Sequence, residues 1–240
     1  MTVRAPEAPP RAAPPRTSAV VLALIRKDLR LELRSREAVP AMLLFSISTF
    51  VLFHFGLDRA TLEGDLAAGV LWVTLLFAAV LAMNRLFVAE RDQGGFDGFL
   101  LAPVDRSALF LAKAAVLFSF LVVLEAMALP AYAVLLLGPS PVQALPGLIA
   151  VLVLADLGIA IVGTLIGALG IRTDAPDLIV PIITLPLLLP IVIGAAQATA
   201  PLLLEGGADP LPGRFLLTLG LYDMVFALIA LAVFDFLLED

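Results

Sequence analysis

Ionisable side chains inside long apolar stretches are the residues of this sequence best placed to do chemistry. Glu125 and Asp156 lie near the middle of two such stretches, and Asp223 lies in a third, directly after Tyr222. A charged group inside a bilayer costs several kcal/mol, so we expect these side chains to face protein or water. Carboxyl groups in that setting can exchange protons, or they can form hydrogen bonds that fix helix packing.

Two interpretations of Glu125 and Asp156 therefore remain open. In the functional one they line a polar cavity or a proton path, and in the structural one their protonated or hydrogen-bonded carboxyl groups hold two helices together. The Tyr222-Asp223 pair is also found in intramembrane aspartyl proteases. The G-x-G-D motif of those enzymes is absent here, so we do not predict a protease.

Other residue types that carry catalysis are scarce. The sequence contains no cysteine, which excludes a disulfide framework, cysteine-ligated zinc, an iron-sulfur cluster and a cysteine nucleophile. It has a single histidine, His54, whereas metal sites and histidine-based catalysis need several convergent groups. We predict no metal site, and an enzyme is the least favoured class.

Composition indicates which elements must position these residues. The 240 residues are 61% hydrophobic and 15% charged, whereas soluble domains are about 45 to 50% apolar and about 25% charged. Such a chain would expose much apolar surface in water, so its solvent must be lipid. Apolar segments long enough to cross a hydrocarbon core of about 30 Å predict an all-α membrane protein with six transmembrane helices. These segments cover residues 38–57, 66–88, 107–137, 145–170, 178–204 and 215–238.

The chain ahead of the first segment divides into two parts. Residues 1–18 are rich in proline and are predicted to form a disordered tail. Residues 19–37 place leucines on one face and basic residues beside them, which predicts an amphipathic helix lying at the membrane interface. A protruding start of a long spanning helix is the alternative, but Pro40 favours a bend. Residues 38–240 form the six-helix domain.

The basic residues predict the orientation of the chain. Thirteen of the fifteen lysines and arginines fall on one side of the predicted helices, and Arg59 and Arg214 alone fall on the other. The positive-inside rule then places both termini in the cytoplasm. The charged residues behind the net charge of −6 are segregated between the two sides of the membrane. We predict no nucleic-acid partner.

The loop between the second and third segments is the clearest candidate for a docking surface. Charged residues come first, a break follows at residues 94–95, and Phe96, Phe99 and Leu100 are then spaced so that a short helix presents them together. An apolar knob among charges favours docking to a partner, although burial of these aromatics at the headgroup boundary is the alternative. The candidate docking residues are Glu90, Arg91, Asp92, Phe96, Phe99 and Leu100.

These features together resemble a known family. The amphipathic helix, the six spans and a cytoplasmic segment with the pattern acidic-Arg-x-x-Gly, apolar residues, proline and a later lysine are similar to permeases of ABC-2-type transporters. Residues 69–113 more closely resemble the heme exporter protein B (CcmB) family, permeases of the cytochrome c maturation system, as do residues 26–37 and 178–193. The matching runs read GVLWVTLLFAAVLAMNRLFVAERDQGGFDGFLLAPVDRSALFLAK, RKDLRLELRSRE and LIVPIITLPLLLPIVI.

The resemblance implies a non-enzymatic subunit of an ATP-driven complex in the bacterial inner membrane. Its partners would be a CcmA-like ATPase, CcmC- and CcmD-like membrane proteins and a CcmE-like heme chaperone, whose heme-loaded form is released by ATP hydrolysis. Two copies of the permease would assemble in one complex. No G-x-x-x-x-G-K-[ST] motif is present in the sequence, so ATP would be bound by the partner ATPase. By this resemblance, the candidate docking residues couple the permease to that ATPase.

Heme would be handled by the complex, and no cofactor is expected to be bound directly by this chain. His54 is a candidate axial ligand, because histidine is one of the usual heme ligands, although a lone histidine is more often packed or hydrated.

Two further functions of the chain remain open. An ABC-2 permease could export lipid or polysaccharide, and an ion-coupled secondary transporter could use Glu125 and Asp156 without any ATPase.

Overall fold

A computed structural model describes seven parts of the chain. They are residues 17–57, 59, 61–92, 106–137, 144–171, 176–204 and 213–237. Side chains are not described for residues 87–92, 106, 171, 176–179 and 234–237. The docking residues Phe96, Phe99 and Leu100 lie outside the described residues, as does the tail before Thr17.

The described residues form an all-helical fold without strands, which confirms the predicted class. Six of the helices are long and apolar enough to cross a membrane, and each corresponds to one predicted segment within a few residues. A π-helix, Ala133–Leu137, continues α4, and a 3₁₀ helix, Ala200–Leu203, continues α6. The seven helices are α1 (Thr17–Ser35), α2 (Ala38–Gly56), α3 (Gly64–Asp92), α4 (Arg106–Tyr132), α5 (Leu145–Ile171), α6 (Pro176–Thr199) and α7 (Gly213–Leu237).

Helix α5 lies at the centre of the bundle and contacts α3, α4, α6 and α7. Its residues are apolar on all sides, as expected of a helix surrounded by other helices. Helices α2 and α7 lie at the periphery and expose large apolar side chains, such as Phe55 and Leu217, which are 81% and 77% exposed. Such faces suit contact with lipid.

The break between α1 and α2 lies at Arg36, whose φ of 53° is in the left-handed region and ends α1. The Glu32 carboxylate accepts a hydrogen bond of 2.9 Å from the Val39 backbone amide, in the first turn of α2. Pro40 falls in that same turn, where no amide donor is needed. The bend therefore lies at Arg36, ahead of the first spanning helix, and α1 and α2 are joined by a fixed corner.

Close helix approach depends on a glycine in α5. A Cβ atom at Gly163 would lie 2.5 Å from Met83 Cε of α3 and 3.0 Å from Leu117 Cδ2 of α4. The absence of a side chain therefore lets three helices pack together at this point.

Candidate functional site

The structure brings Glu125 of α4 and Asp156 of α5 together inside the bundle. They are 6% and 2% exposed, and their carboxyl groups lie close enough to interact. Two carboxyl groups can share a hydrogen bond only when one of them carries a proton, because an ionised carboxylate has no donor. Glu125 Oε1 and Asp156 Oδ2 have no hydrogen-bond partner among the described residues. The pair therefore joins α4 to α5 and keeps unused acceptor capacity.

We expect Glu125→Gln to leave the stability of the bundle nearly unchanged, and Glu125→Ala to lower the free energy of unfolding by about 2 kcal/mol. The glutamine amide can still donate to Asp156, whereas alanine leaves that buried carboxyl group without a partner. Titration with denaturing detergent in mixed micelles measures the difference. Ser119→Ala is the control, since the Ser119 hydroxyl bonds Ala115 O within its own helix. Equal stability of the Gln and Ala variants would contradict the structural role of the pair.

Asp223 of α7 is not part of this pair. It is 4% exposed and packs against Gly158 of α5, where a Cβ atom would collide with its carboxyl group. Gly158 lies two residues after Asp156, roughly 200° around the helix axis, so Asp223 meets a different face of α5. Neither Asp223 oxygen has a hydrogen-bond partner in the described part of the chain.

Tyr222 bonds the neighbouring helix rather than Asp223. Its hydroxyl donates to the Leu187 carbonyl of α6 at 2.5 Å, and its ring stacks on Phe226 with centroids 4.5 Å apart. The Tyr-Asp sequence in α7 thus makes two separate interhelical contacts, one with α6 and one with α5.

Helix α6 itself stays helical through Pro181, Pro186 and Pro190.

His54 has a structural partner near the end of α2. Its Nδ1 donates to the Leu135 carbonyl at 2.6 Å, because a carbonyl oxygen can only accept. The ring also meets Phe55 edge-on with centroids 4.8 Å apart. These contacts attach α2 to the π-helix that continues α4. Heme ligation by His54 stays a prediction.

An ion pair that the sequence did not predict joins α1 to α4. Lys113 Nζ lies 2.8 Å from Asp28 Oδ2, and both side chains are more than nine-tenths buried. Lys27 Nζ lies 3.3 Å from the other oxygen of Asp28. The signal for the pair was a lysine within an apolar run and an aspartate within a basic helix.

A second unpredicted cluster fixes the other end of the bundle. Trp72 Nε1 donates to Thr199 Oγ1 at 2.9 Å, which joins α3 to the end of α6. The Tyr132 hydroxyl donates to the Ala67 carbonyl at 2.6 Å, and its ring lies 5.2 Å from that of Phe50. All of these side chains are buried. The one tryptophan of the chain is therefore a packing residue here.

The candidate docking segment joins two neighbouring helices of the bundle. Glu90, Arg91 and Asp92 belong to the last turn of α3, and α4 begins at Arg106. Arg85 of α3 lies 3.5 Å from Glu37, directly ahead of α2. Residues 93–105 therefore connect helix ends on the side where α1 meets α2. Positions 96, 99 and 100 lie outside the described residues, and their docking role stays a prediction.

No cluster suited to a metal ion occurs in the described ranges, where three or more histidine, cysteine or acidic side chains nowhere converge. The Glu125-Asp156 pair supplies two carboxyl groups without a third ligand. The observed arrangement can hold a proton and fix helices. In the described residues, this pair is suited to binding a proton and to stabilising the packing of α4 against α5.

Comparison with known proteins gives a consistent match. A family model described as CcmB protein matches residues 19–236. Heme exporter protein B of Rhodobacter capsulatus is 30% identical over 176 residues, which cover 73% of this chain and 80% of that protein. The protein of the same name from Paracoccus denitrificans is 30% identical over 193 residues, covering 79% and 85%, and that from Bradyrhizobium diazoefficiens is 29% identical over 206 residues, covering 85% and 91%. The similarity extends from α1 to α7.

Proposed function

We propose, because this chain belongs to the CcmB protein family, that it is the membrane permease subunit of a heme exporter complex in cytochrome c maturation. The observation that carries the proposal is the family match across residues 19–236, joined to a bundle of six helices able to span a membrane. The Walker A motif is absent from the sequence, so ATP hydrolysis in this proposal belongs to a CcmA-like partner.

In this proposal the segment between α3 and α4 receives the motion of the ATPase. Glu90, Arg91 and Asp92 set the register, and the apolar side chains that follow occupy a groove of the partner. Both helices that flank the segment pack against α5, which in turn contacts α6 and α7. A displacement of the α3 and α4 ends would therefore be transmitted directly to the centre of the bundle.

The purpose of that motion, in the proposal, is release of the heme-loaded CcmE-like chaperone from the complex. CcmC- and CcmD-like membrane proteins complete the assembly, with two copies of the present chain around an axis. Heme is handled by the complex rather than held by this chain. The location is the bacterial inner membrane with both termini cytoplasmic, which agrees with the bias of basic residues towards one side of the helices.

The experiment is affinity purification of the full chain from membranes that contain CcmA-, CcmC-, CcmD- and CcmE-like proteins. We expect the ATPase and the CcmC-like protein to co-purify. Replacing the ATPase with a variant that binds but does not hydrolyse ATP should trap heme-loaded CcmE on the complex. Failure of the ATPase to co-purify would contradict the proposal, as would normal chaperone release without ATP hydrolysis.

The Glu125-Asp156 pair supports one other function from a different class. Two neighbouring buried carboxyl groups are suited to binding the proton of an ion-coupled transporter. Proton uptake by vesicles carrying this chain alone, lost in Glu125→Gln, would favour that function. An ATPase stimulated by a lipid or polysaccharide, without CcmC or CcmE, would favour an ABC-2 exporter instead.

A further inference from the structure

A basic groove runs along α1 on the side of the bundle that carries the candidate docking segment. Its volume is about 510 Å³, and four of its lining residues are cationic. Arg26, Arg30 and Arg34 are spaced four residues apart, so they lie on one stripe of the helix, one turn apart, and Lys27 lies beside that stripe. Within the described part of the chain, the groove is lined by Ala23, Arg26, Lys27, Arg30, Leu31 and Arg34.

The two acidic residues of α1 do not neutralise this groove. Asp28 is buried against Lys113 of α4, at 2.8 Å. Glu32 turns towards α2, where one of its oxygens accepts the Val39 amide. Lys27 also contacts Asp28, but Arg26, Arg30 and Arg34 are exposed on the groove side. The tertiary contacts of α1 therefore concentrate positive charge on one face.

The same contacts place the groove at the edge of the membrane. Helix α1 ends at Ser35, and the first spanning helix begins at Ala38, joined to it by the Glu32 hydrogen bond. Leu22 and Leu33 flank the groove and are 46% and 74% exposed. Exposed leucines beside exposed arginines are the arrangement of a helix that contacts both acyl chains and headgroups.

We propose that this groove binds the phosphate headgroup of an acidic phospholipid, with Arg26, Arg30 and Arg34 as its phosphate contacts. A guanidinium group donates two parallel hydrogen bonds to phosphate oxygens, so three arginines one turn apart fit one or two phosphates. The lipid source is favoured over free phosphate because the flanking leucines bind acyl chains. The inference is independent of the proposed function, since it requires no ATPase or heme.

The test uses the full chain in nanodiscs of neutral phosphatidylcholine with a small fraction of phosphatidylglycerol or cardiolipin. Native mass spectrometry counts the acidic lipids retained on the protein. Arg30→Gln with Arg34→Gln should lower their retention about 10- to 30-fold, because each basic residue near an acidic surface contributes a several-fold effect. Wild-type protein should keep acidic lipid in preference to phosphatidylcholine.

The matched control is Arg36→Gln with Arg85→Gln. It removes the same charge from the same end of the bundle, and neither residue lines the groove. This control should retain acidic lipid at the wild-type level. An equal loss in both double variants would overturn the proposal in favour of diffuse attraction by net charge.

Two further measurements test the binding of lipid in this groove. Arg30→Lys with Arg34→Lys preserves charge but not the two-pronged geometry, so an intermediate loss of retention is expected. Inorganic phosphate added at millimolar concentration should not displace the lipid, because it lacks acyl chains. Full displacement by phosphate, or unchanged retention in the Arg-to-Gln variant, would overturn the assignment.

Discussion

Replacing Phe96 or Phe99 with aspartate is expected to abolish association with the ATPase subunit while leaving the six-helix bundle folded in the membrane. In the proposed function these side chains fill an apolar groove of the partner, and a central aromatic anchor is worth about 2 kcal/mol or more, at least about 30-fold in Kd. A buried aspartate would add the cost of an unpaired charge. The helices of the bundle pack on one another through contacts outside residues 93–105.

The ratio of ATPase to permease after affinity purification measures this effect. Phe96→Leu and Phe99→Leu are the matched controls, because leucine retains most of the apolar surface at the same positions. They should preserve most of the association. Size-exclusion chromatography checks that each variant remains folded. Co-purification that survives both aspartate substitutions would show that the ATPase docks elsewhere.

Removal of Lys113 is expected to have the largest effect on stability of any single charge in the described bundle. Lys113→Ala leaves Asp28 buried without its closest partner, and breaking a buried pair in this way costs about 3 to 5 kcal/mol. Lys27, at 3.3 Å from Asp28, offsets part of that cost, so we expect a loss of about 3 kcal/mol. Detergent-induced unfolding measures it.

A double substitution separates the cost of an unpaired charge from the value of the pair. Asp28→Leu with Lys113→Met replaces both charges by apolar side chains of similar size, and should recover most of the lost stability. The matched control is the exposed pair Arg85-Glu37, whose side chains are 57% and 59% exposed. Arg85→Ala should cost less than about 1 kcal/mol.

The ion pair also bears on the proposed coupling. Lys113 lies about two turns into α4, the helix that follows the docking segment. If Lys113→Ala and its double variant were equally stable to detergent, the pair would not hold α1 against α4. A loss confined to the single variant would show that the unpaired charge of Asp28, rather than the missing ion pair, lowers the stability.

The spans and their order were predictable because hydropathy is a property of short windows of sequence. A helix in lipid satisfies its own backbone hydrogen bonds, so segment length and composition suffice to locate it. The structure confirms six such helices and shifts their ends by a few residues. A bend ahead of α2 was expected because of Pro40, but Arg36, the residue at which it occurs, carries no strong local signal for a left-handed conformation.

The partners of the polar residues were not predictable in the same way. Glu125 and Asp156 were both placed in mid-membrane, yet the choice between a polar cavity or proton path and a structural pair that fixes helix packing remained open. Lys113 pairs with Asp28, which lies 85 residues away in the chain. His54 likewise bonds Leu135 across 81 residues.

The sequence by itself determined that this is a helical membrane protein and where along each spanning segment its polar residues fall. Depth follows from the rise of 1.5 Å per residue along a helix whose ends are marked by charge. The tertiary structure decided which faces meet, because helix rotation and neighbour choice depend on packing between segments distant in the chain. That packing pairs Glu125 with Asp156, separates Asp223 from both, and turns Asp28 inward so that the arginines of α1 line a groove.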